Sequence, residues 1–218
     1  MWSKEKQYYP YERVQGFGTM PEMEKVPYMV REYLMDMPTK DYTPEDSNES
    51  YRCRLMKYLY YDGDDPLSEP MPTAEQKMKM VFDPDSPDKP PEPTGYRIFT
   101  QQLVNQAQTH GVTTLRIYMG RVSPVDSYTA KASVIIECLT NAAYDSNSRT
   151  TALSRTYAMA LDCLRALNGV NMAAGMVFSF NRYDHPDAGI LPMNDETTNV
   201  GYRLTMGLAV TGTDEYDQ

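Results

Sequence analysis

The chain has 218 residues, a formal net charge of -9 and a hydrophobic fraction of 41%. This length accommodates one domain with a sizeable core, or one domain with a long extension. A mean hydropathy of -0.60, without a long apolar run, argues against a bilayer-spanning segment. The acidic balance, without a cluster of Lys and Arg, argues against a protein that grips DNA through its phosphates.

Composition divides the chain near residue 93. Residues 1–93 are rich in Pro, Tyr, Met and acidic residues, whereas Thr, Ala and Val become more frequent from residue 94 onward. Apolar segments that proline interrupts this often are expected to lie on another surface. We therefore predict an extended N-terminal arm carrying short helices in residues 1–93, and a compact domain in residues 94–218. A partly disordered tail is the alternative for the first zone.

Three segments of the predicted arm have local structure signals. Pro27 suits the first turn of a helix over residues 28–37. Residues 50–61 (SYRCRLMKYLYY) fit either a helix or an aromatic strand, because their periodicity matches both. Thr73 is a capping residue for a segment that begins as a helix and becomes extended at residues 80–82. Linkers rich in proline and acidic residues are expected at 62–72 and 83–93.

The second zone begins with a predicted hairpin. Residues 96–107 fit either a helix or an extended segment that leads into the sheet. Residues 115–119 alternate apolar with polar or aromatic side chains, which predicts a strand that ends near Gly120 and Pro124. Residues 132–139 (ASVIIECL) are β-branched and predict its antiparallel partner, after a turn at 126–128.

A long helix over residues 149–168 is the element around which the second zone is organised. Its apolar residues recur every three or four positions, which places them on one face, while Arg155, Asp162 and Arg165 are expected to point elsewhere. Gly169 suits the left-handed conformation that ends a helix. The predicted face consists of Leu153, Tyr157, Ala160, Leu161, Leu164, Leu167 and Asn168.

Two more strands are predicted after this helix. Residues 176–180 and 202–210 alternate between apolar and smaller or polar side chains, and residues 181–198 between them are predicted to be a polar loop. Residues 213–218 form an acidic tail. The order strand, strand, helix, strand, strand predicts an α+β fold, in which one long helix packs on a mostly antiparallel β-sheet.

Residues that could carry out catalysis or bind a metal are few. His185 lies between Asp184 and Asp187, but neighbours on an irregular loop seldom point at one centre, so a solvated turn is expected. Arg149 and Arg155, near the helix start, could hold an anion, yet pairing with water or acidic neighbours is the expectation. No catalytic, metal or cofactor site is predicted. The cysteines include no CxxC pair and are expected to be reduced: Cys53, Cys138 and Cys163.

Five segments of the second zone have a recognisable order and recognisable motifs. These segments are TTLRIYMGRV, ASVIIECL, ALDCLRALNGV, MVFSFNRYDHPDAG and VGYRLTMGLAV. The resemblance covers about residues 115–210 and depends chiefly on residues 166–170 and 201–208. In order and motif they are similar to the neck and tail-terminator (tail-completion) proteins of long-tailed bacteriophages. Those proteins are α+β, with a hairpin, a helix that ends in an LNG-like stop and a final strand. The zone before residue 94 departs from a minimal member.

The resemblance implies a structural subunit and not an enzyme. Such proteins form rings, commonly hexamers, that cap the tail tube and join it to the head connector, and they use no catalytic residues or cofactors. The implied partners are further copies of the chain and tail-tube, tail-sheath or head-connector proteins. DNA would pass as a duplex that is not tightly bound, no membrane would be involved, and the protein would be made in the bacterial cytoplasm and reside in the virion.

Three alternatives stay open at this stage. The chain could form another neck ring, such as a head-completion, adaptor or collar ring. It could be a monomeric α+β module that binds proteins, which the mass of the purified chain would reveal. It could also be a small enzyme that depends on His185 or Cys163.

Overall fold

A computed structural model describes residues 20–36, 48–82, 95–102, 113–124, 129–142, 145, 153–173, 176–183, 185–194 and 199–211. Within these ranges the chain is α+β, with a seven-stranded and mostly antiparallel sheet. The coarse fold class predicted from the sequence is therefore confirmed.

The described residues contain four α-helices and two short 3-10 segments. The α-helices are α1 (Val26–Met35), α2 (Asn48–Tyr60), α3 (Ala74–Lys79) and α4 (Arg155–Leu167), and the 3-10 segments are Met20–Lys25 and Pro66–Ser68. Pro27 lies in the first turn of α1, as predicted. Thr73 caps α3 through a capping box with Gln76, because each side chain bonds the other's backbone N–H. None of these helices combines the length and the apolar composition needed to cross a bilayer.

The strands are β1 (Ile98–Phe99), β2 (Thr113–Pro124), β3 (Thr129–Asn141), β4 (Asn171–Ala173), β5 (Met176–Ser179), β6 (Gly189–Asn194) and β7 (Asn199–Thr211). Their order in the sheet is β1-β2-β3-β7-β5-β4, and β6 also pairs with β7. β1 is parallel to β2, and the other pairs are antiparallel. β7 is thus the central strand, with β3 on one side and both β5 and β6 on the other.

The predicted hairpin and final strand are confirmed, but the loop predicted for residues 181–198 is wrong in part. Its residues 189–194 form β6, which pairs with residues 200–205 of β7. β6 contains Pro192 and shows no apolar alternation, since its side chains are half-buried or exposed. A strand at the edge of a sheet tolerates proline and needs no buried face, so the usual strand pattern is absent.

The helices of the N-terminal zone lie in the same hydrophobic core as the sheet. Buried residues of α1 and α2, such as Val30 and Leu55, join Val134 of β3 and Leu204 of β7 in one cluster. The extended arm predicted for residues 1–93 is therefore not confirmed in its described part. α1 and α2 are short, but their apolar residues cover the sheet of their own chain, so the interruptions by proline do not keep them from being buried.

The single long helix is not confirmed either. α4 has 13 residues and contacts β3, β7 and α2, and α1 and α2 both contact β2. Because α4 contacts the sheet on one side and α2 on another, its buried surface is wider than the single apolar face that was predicted. Arg155 and Asp162, predicted to point away, are buried, whereas Leu161 and Leu164 are only half-buried. Gly169 ends the helix region with φ of +79°, as predicted.

A partly buried ion pair joins α2 to α4. Arg54 donates to Asp162 through Nη2 at 2.7 Å and through Nε at 3.2 Å. Burial raises the pKa of the Asp162 carboxyl, and the hydrogen bond from Arg54 counteracts this. Nearby, the Tyr33 hydroxyl of α1 donates to the carbonyl of Ala166 at 3.0 Å. Polar contacts therefore supplement the apolar packing between the N-terminal helices and α4.

Replacing Leu55 in α2 with alanine tests whether this helix is part of the core. Leu55 is fully buried, so Leu55→Ala should lower the free energy of unfolding by about 2–5 kcal/mol in a urea titration. The matched control is Leu191→Ala in β6, where the leucine is 62% exposed and the expected change is below about 0.5 kcal/mol. Equal and small effects of the two changes would contradict the placement of α2.

Candidate functional site: the outer face of the sheet

The two faces of the sheet differ in chemistry. The inner face carries apolar side chains that join the core, such as Ile136 of β3 and Met206 of β7. Alternate positions of the same strands form the outer face. The outer face carries these polar or aromatic side chains of β2, β3 and β7: Arg116, Tyr118, Ser133, Glu137, Arg203 and Thr205.

A buried carboxylate, Glu137, lies at the centre of the outer face. In the register of the sheet, Arg116 of β2 and Arg203 of β7 both lie opposite it. Glu137 Oε1 accepts from Arg203 Nε at 3.0 Å, from Arg203 Nη2 at 2.8 Å and from the Tyr118 hydroxyl at 2.6 Å. Arg116 Nη1 lies 3.8 Å from Oε2, and only 3% of the Glu137 side chain is exposed. These partners compensate the cost of burying the charge.

The charged network around Glu137 helps to specify the alignment of the strands. Burial and the hydrogen bond to Glu137 raise the pKa of Tyr118, so its hydroxyl remains a donor at neutral pH. The carboxylate of Glu137 is engaged by side chains from the two neighbouring strands at once. A shift of register by one residue would turn these charges to the apolar inner face, so the network specifies how β2, β3 and β7 align.

A cavity of about 340 Å³ opens at one end of the outer face, and we name it the cationic cavity. The end of β2, the start of β3, the middle of β7 and the turn before β6 supply its walls. Arg121, Lys131 and Asp187 are its ionised side chains. Its walls also include Tyr183, His185 and Thr205.

His185 is buried in the wall of this cavity, so the solvated turn predicted for it is wrong. Its side chain is 8% exposed. A Cβ placed at Gly207 would lie 1.9 Å from the imidazole Cδ2. The ring therefore occupies the space that a side chain at position 207 would fill. The backbone N–H of His185 donates to Asn181 O at 2.9 Å, and that of Ala188 donates to His185 O at 3.0 Å. Because Gly207 has no side chain, the turn that contains His185 packs directly on the sheet.

The same turn presents one aromatic side chain to solvent. The backbone N–H of Tyr183 donates to Asn181 Oδ1 at 2.9 Å, and the Tyr183 side chain is 94% exposed. Two other large apolar residues on this side of β7 are exposed, Leu191 by 62% and Val177 by 40%. Exposed tyrosine and aliphatic side chains are typical of a protein contact surface.

A second charged feature lies far from the cavity, at residues 62–65, and we name it the acidic turn. Arg97 holds Asp62 with Nη1–Oδ1 at 2.8 Å and Nη2–Oδ2 at 2.9 Å. Arg155 donates to Tyr61 O at 3.1 Å and also to Gly63 O. Both arginines are buried, so of the two expectations for Arg155 the solvated position is wrong. Asp64 and Asp65 are exposed on this anchored turn.

The cysteines are all buried and free of disulfides. Cys138 of β3 and Cys163 of α4 are brought together by the fold, although neither had a visible partner in the sequence. The hydrogen bond to Cys138 and burial raise the pKa of Cys163, and burial raises the pKa of Cys53. A raised pKa favours the unreactive thiol over the thiolate. Arg149 and Asp184 lie outside the described residues.

In the described ranges, no group of three or more His, Cys, Asp or Glu side chains is placed to hold a metal ion. Comparisons with protein-family models, curated protein sequences and solved structures find no match for this chain. The geometry of the outer face is therefore the main guide to function. It combines a rigid charge network, a cationic cavity and an exposed aromatic residue, which is an arrangement suited to binding another macromolecule.

The seating of His185 on Gly207 can be tested by a double-mutant cycle. Gly207→Ala should lower the free energy of unfolding by about 1–3 kcal/mol, because the new methyl group meets the imidazole. In a His185→Ala background the same change should cost less, since the obstructing ring is gone. Urea unfolding of the four proteins measures the coupling.

Gly189→Ala is the control for this cycle. Nothing lies within 4 Å of a Cβ at Gly189, so the substitution should be neutral or stabilising by up to about 1 kcal/mol. Additive effects of Gly207→Ala and His185→Ala would show that the ring does not lie against this glycine.

Proposed function

We propose that the chain is a structural subunit of a bacteriophage neck. In this proposal it forms a tail-terminator ring that caps the tail tube and joins it to the head connector, with DNA passing through the ring. The observation that carries the proposal is the order of elements. The β2–β3 hairpin, the helix that stops at Asn168 and Gly169, and the long last strand β7 correspond to the features for which the sequence resembles that family.

The charged side chains of the described residues support a passive role toward DNA. Several arginines use their guanidinium groups on internal partners, and these are Arg52, Arg54, Arg97, Arg155 and Arg203. Arginines engaged in this way have few donors left for phosphates. With a formal net charge of -9, such a subunit would repel a passing duplex more than it would hold it.

The exposed side chains of the sheet support a role in assembly. Tyr183, Leu191 and Val177 all lie on the side of β7 that faces β5 and β6. Apolar residues exposed close to charged ones give both contact area and specificity at an interface between proteins. We propose that this side contacts neighbouring virion proteins. The proposed location is the virion neck, reached after synthesis in the bacterial cytoplasm.

The proposal predicts association with virion proteins and weak binding to DNA. Mass photometry of the purified chain, alone and mixed with tail-tube, sheath or head-connector protein, should detect assemblies larger than a monomer. Duplex DNA should bind no tighter than about 1 µM at about 0.15 M salt, as measured in a salt-titrated binding assay.

Two results would count against different parts of this proposal. A chain that stays monomeric with every one of these proteins would contradict the assembly role. A submicromolar affinity for DNA would contradict the passive channel, although the chain could still assemble. Association with head-completion proteins alone would replace the tail-terminator assignment by another ring of the neck.

A further inference from the structure

We propose that Pro192 keeps β6 from pairing with a strand of another chain, and so keeps the free subunit from associating through its sheet. Within the described residues β6 pairs with β7 alone, and we name its other side the open edge of β6. An open edge presents backbone N–H and C=O groups that can bond a further strand. This role of Pro192 is independent of the proposed ring, because it concerns the subunit before any partner binds.

The hydrogen bonds of β5 show which backbone groups of β7 face β6. The N–H of Phe178 donates to Val170 O at 3.1 Å, and its C=O accepts from Gly169 N–H at 2.9 Å, so both groups point away from β7. Leu208 lies opposite Phe178 and therefore directs its own backbone groups to β3, on its other side. These directions alternate along a strand, so Arg203, an odd number of positions before Leu208, points toward β6.

The same alternation directs the backbone of Pro192 to the open edge. Leu191 lies opposite Arg203 in the register, and the two residues form a hydrogen-bonded pair. The next residues on either side, Ile190 and Pro192, then point away from β7, as does Asn194. Proline at position 192 costs no hydrogen bond between β6 and β7, because its missing N–H belongs to the open edge.

The segment around Pro192 would be prone to strand addition without this proline. Residues 188–194 (AGILPMN) contain no charged side chain, and Leu191 is 62% exposed. Short uncharged segments of strand-forming residues that lack proline are the ones that stack into intermolecular sheets. With a strand-forming residue at position 192, β6 would fit this description.

The other edges of the described sheet are protected in different ways. The outer side of β1 is covered, since Ile98 N–H donates to Met80 O and Ile98 O accepts from Phe82 N–H, each at 2.9 Å. β4 has three residues, and its pairing with β5 is irregular. The part of β2 beyond β1 contains a bulge, where the register shifts between Met119 and Val122. β6 has six residues in regular register, so its edge depends most on proline.

Replacing Pro192 with valine tests this role. Valine supplies the missing N–H and favours strands, so Pro192→Val should complete the open edge and promote pairing between subunits. Light scattering at equal protein concentration should rise by about tenfold or more over the wild type. Infrared spectra should show added intermolecular sheet, which distinguishes strand pairing from other kinds of association.

Moving the proline along the same edge provides the rescue. Asn194 also faces the open edge, so Pro192→Val combined with Asn194→Pro should scatter light like the wild type. Pro70→Val is the matched control, because Pro70 is exposed as well but lies outside the strands. This variant should neither scatter more light nor gain intermolecular sheet. Circular dichroism verifies that each variant is folded.

Two prolines placed in the wild-type chain test the direction of the backbone. Asn194→Pro removes a donor of the open edge, so it should leave the midpoint of urea unfolding nearly unchanged. Met193→Pro removes a donor that faces Gly201 of β7. It should lower the midpoint by about 1 M or more beyond the effect of Met193→Ala.

Several results would overturn the proposal. A folded Pro192→Val chain that scatters light like the wild type would show that proline does not protect this edge. A Pro192→Val chain that fails to fold would overturn it as well, since β6 would then need proline for its own structure. Strong scattering that Asn194→Pro does not reduce would place the association elsewhere. Equal urea midpoints for the prolines at 193 and 194 would contradict the direction assigned to the open edge.

Discussion

The apolar inner face of the sheet is the constraint on which the rest of the structure depends. The residues that β2, β3 and β7 place on this face are fully buried, for example Ile117, Val134 and Leu204. α4 contacts β3 and β7, whereas α1 and α2 contact β2, so no single one of the described helices covers the face. Apolar surface left in water would cost about 25 cal/mol per Å². The N-terminal helices are thus needed as part of the core.

Covering the inner face determines where the charges lie. Arg54, Arg97 and Arg155 occupy the junctions between the N-terminal helices, the following turn and the rest of the fold, where each binds a carboxylate or a backbone carbonyl. The acidic turn is anchored as a consequence. On the outer face, Glu137 and its partners align the same strands that form the inner face, and the cationic cavity lies at one end of that face. The cavity is thus built on the sheet, whereas the acidic turn is held by Arg97 beside β1 and by Arg155 of α4.

Local signals in the sequence predict most of the elements, and long-range packing explains what they miss. Pro27 and Gly169 mark helix boundaries correctly, since proline and glycine act through backbone conformation alone. The buried side of α4 is predicted poorly, because contact with α2 adds a second interface that periodicity does not reveal. β6 is missed, as an edge strand has no face to bury. The extended N-terminal arm is not confirmed in its described part, because interrupted apolar segments can still pack on a sheet of their own chain.

Most of the candidate site could not be predicted from the sequence either. Glu137 stands out as a charge in an apolar strand, but its partners follow only from the register of three strands. The burial of His185 depends on Gly207 in β7, a glycine 22 positions further along the chain.

The central claim, that the N-terminal helices and the sheet form one cooperative unit, is tested most directly by native-state amide hydrogen exchange. The account predicts that amides of Leu55 and Leu59 in α2 exchange with the same opening free energy as those of Val134 in β3. A much lower opening free energy for α2 would contradict it.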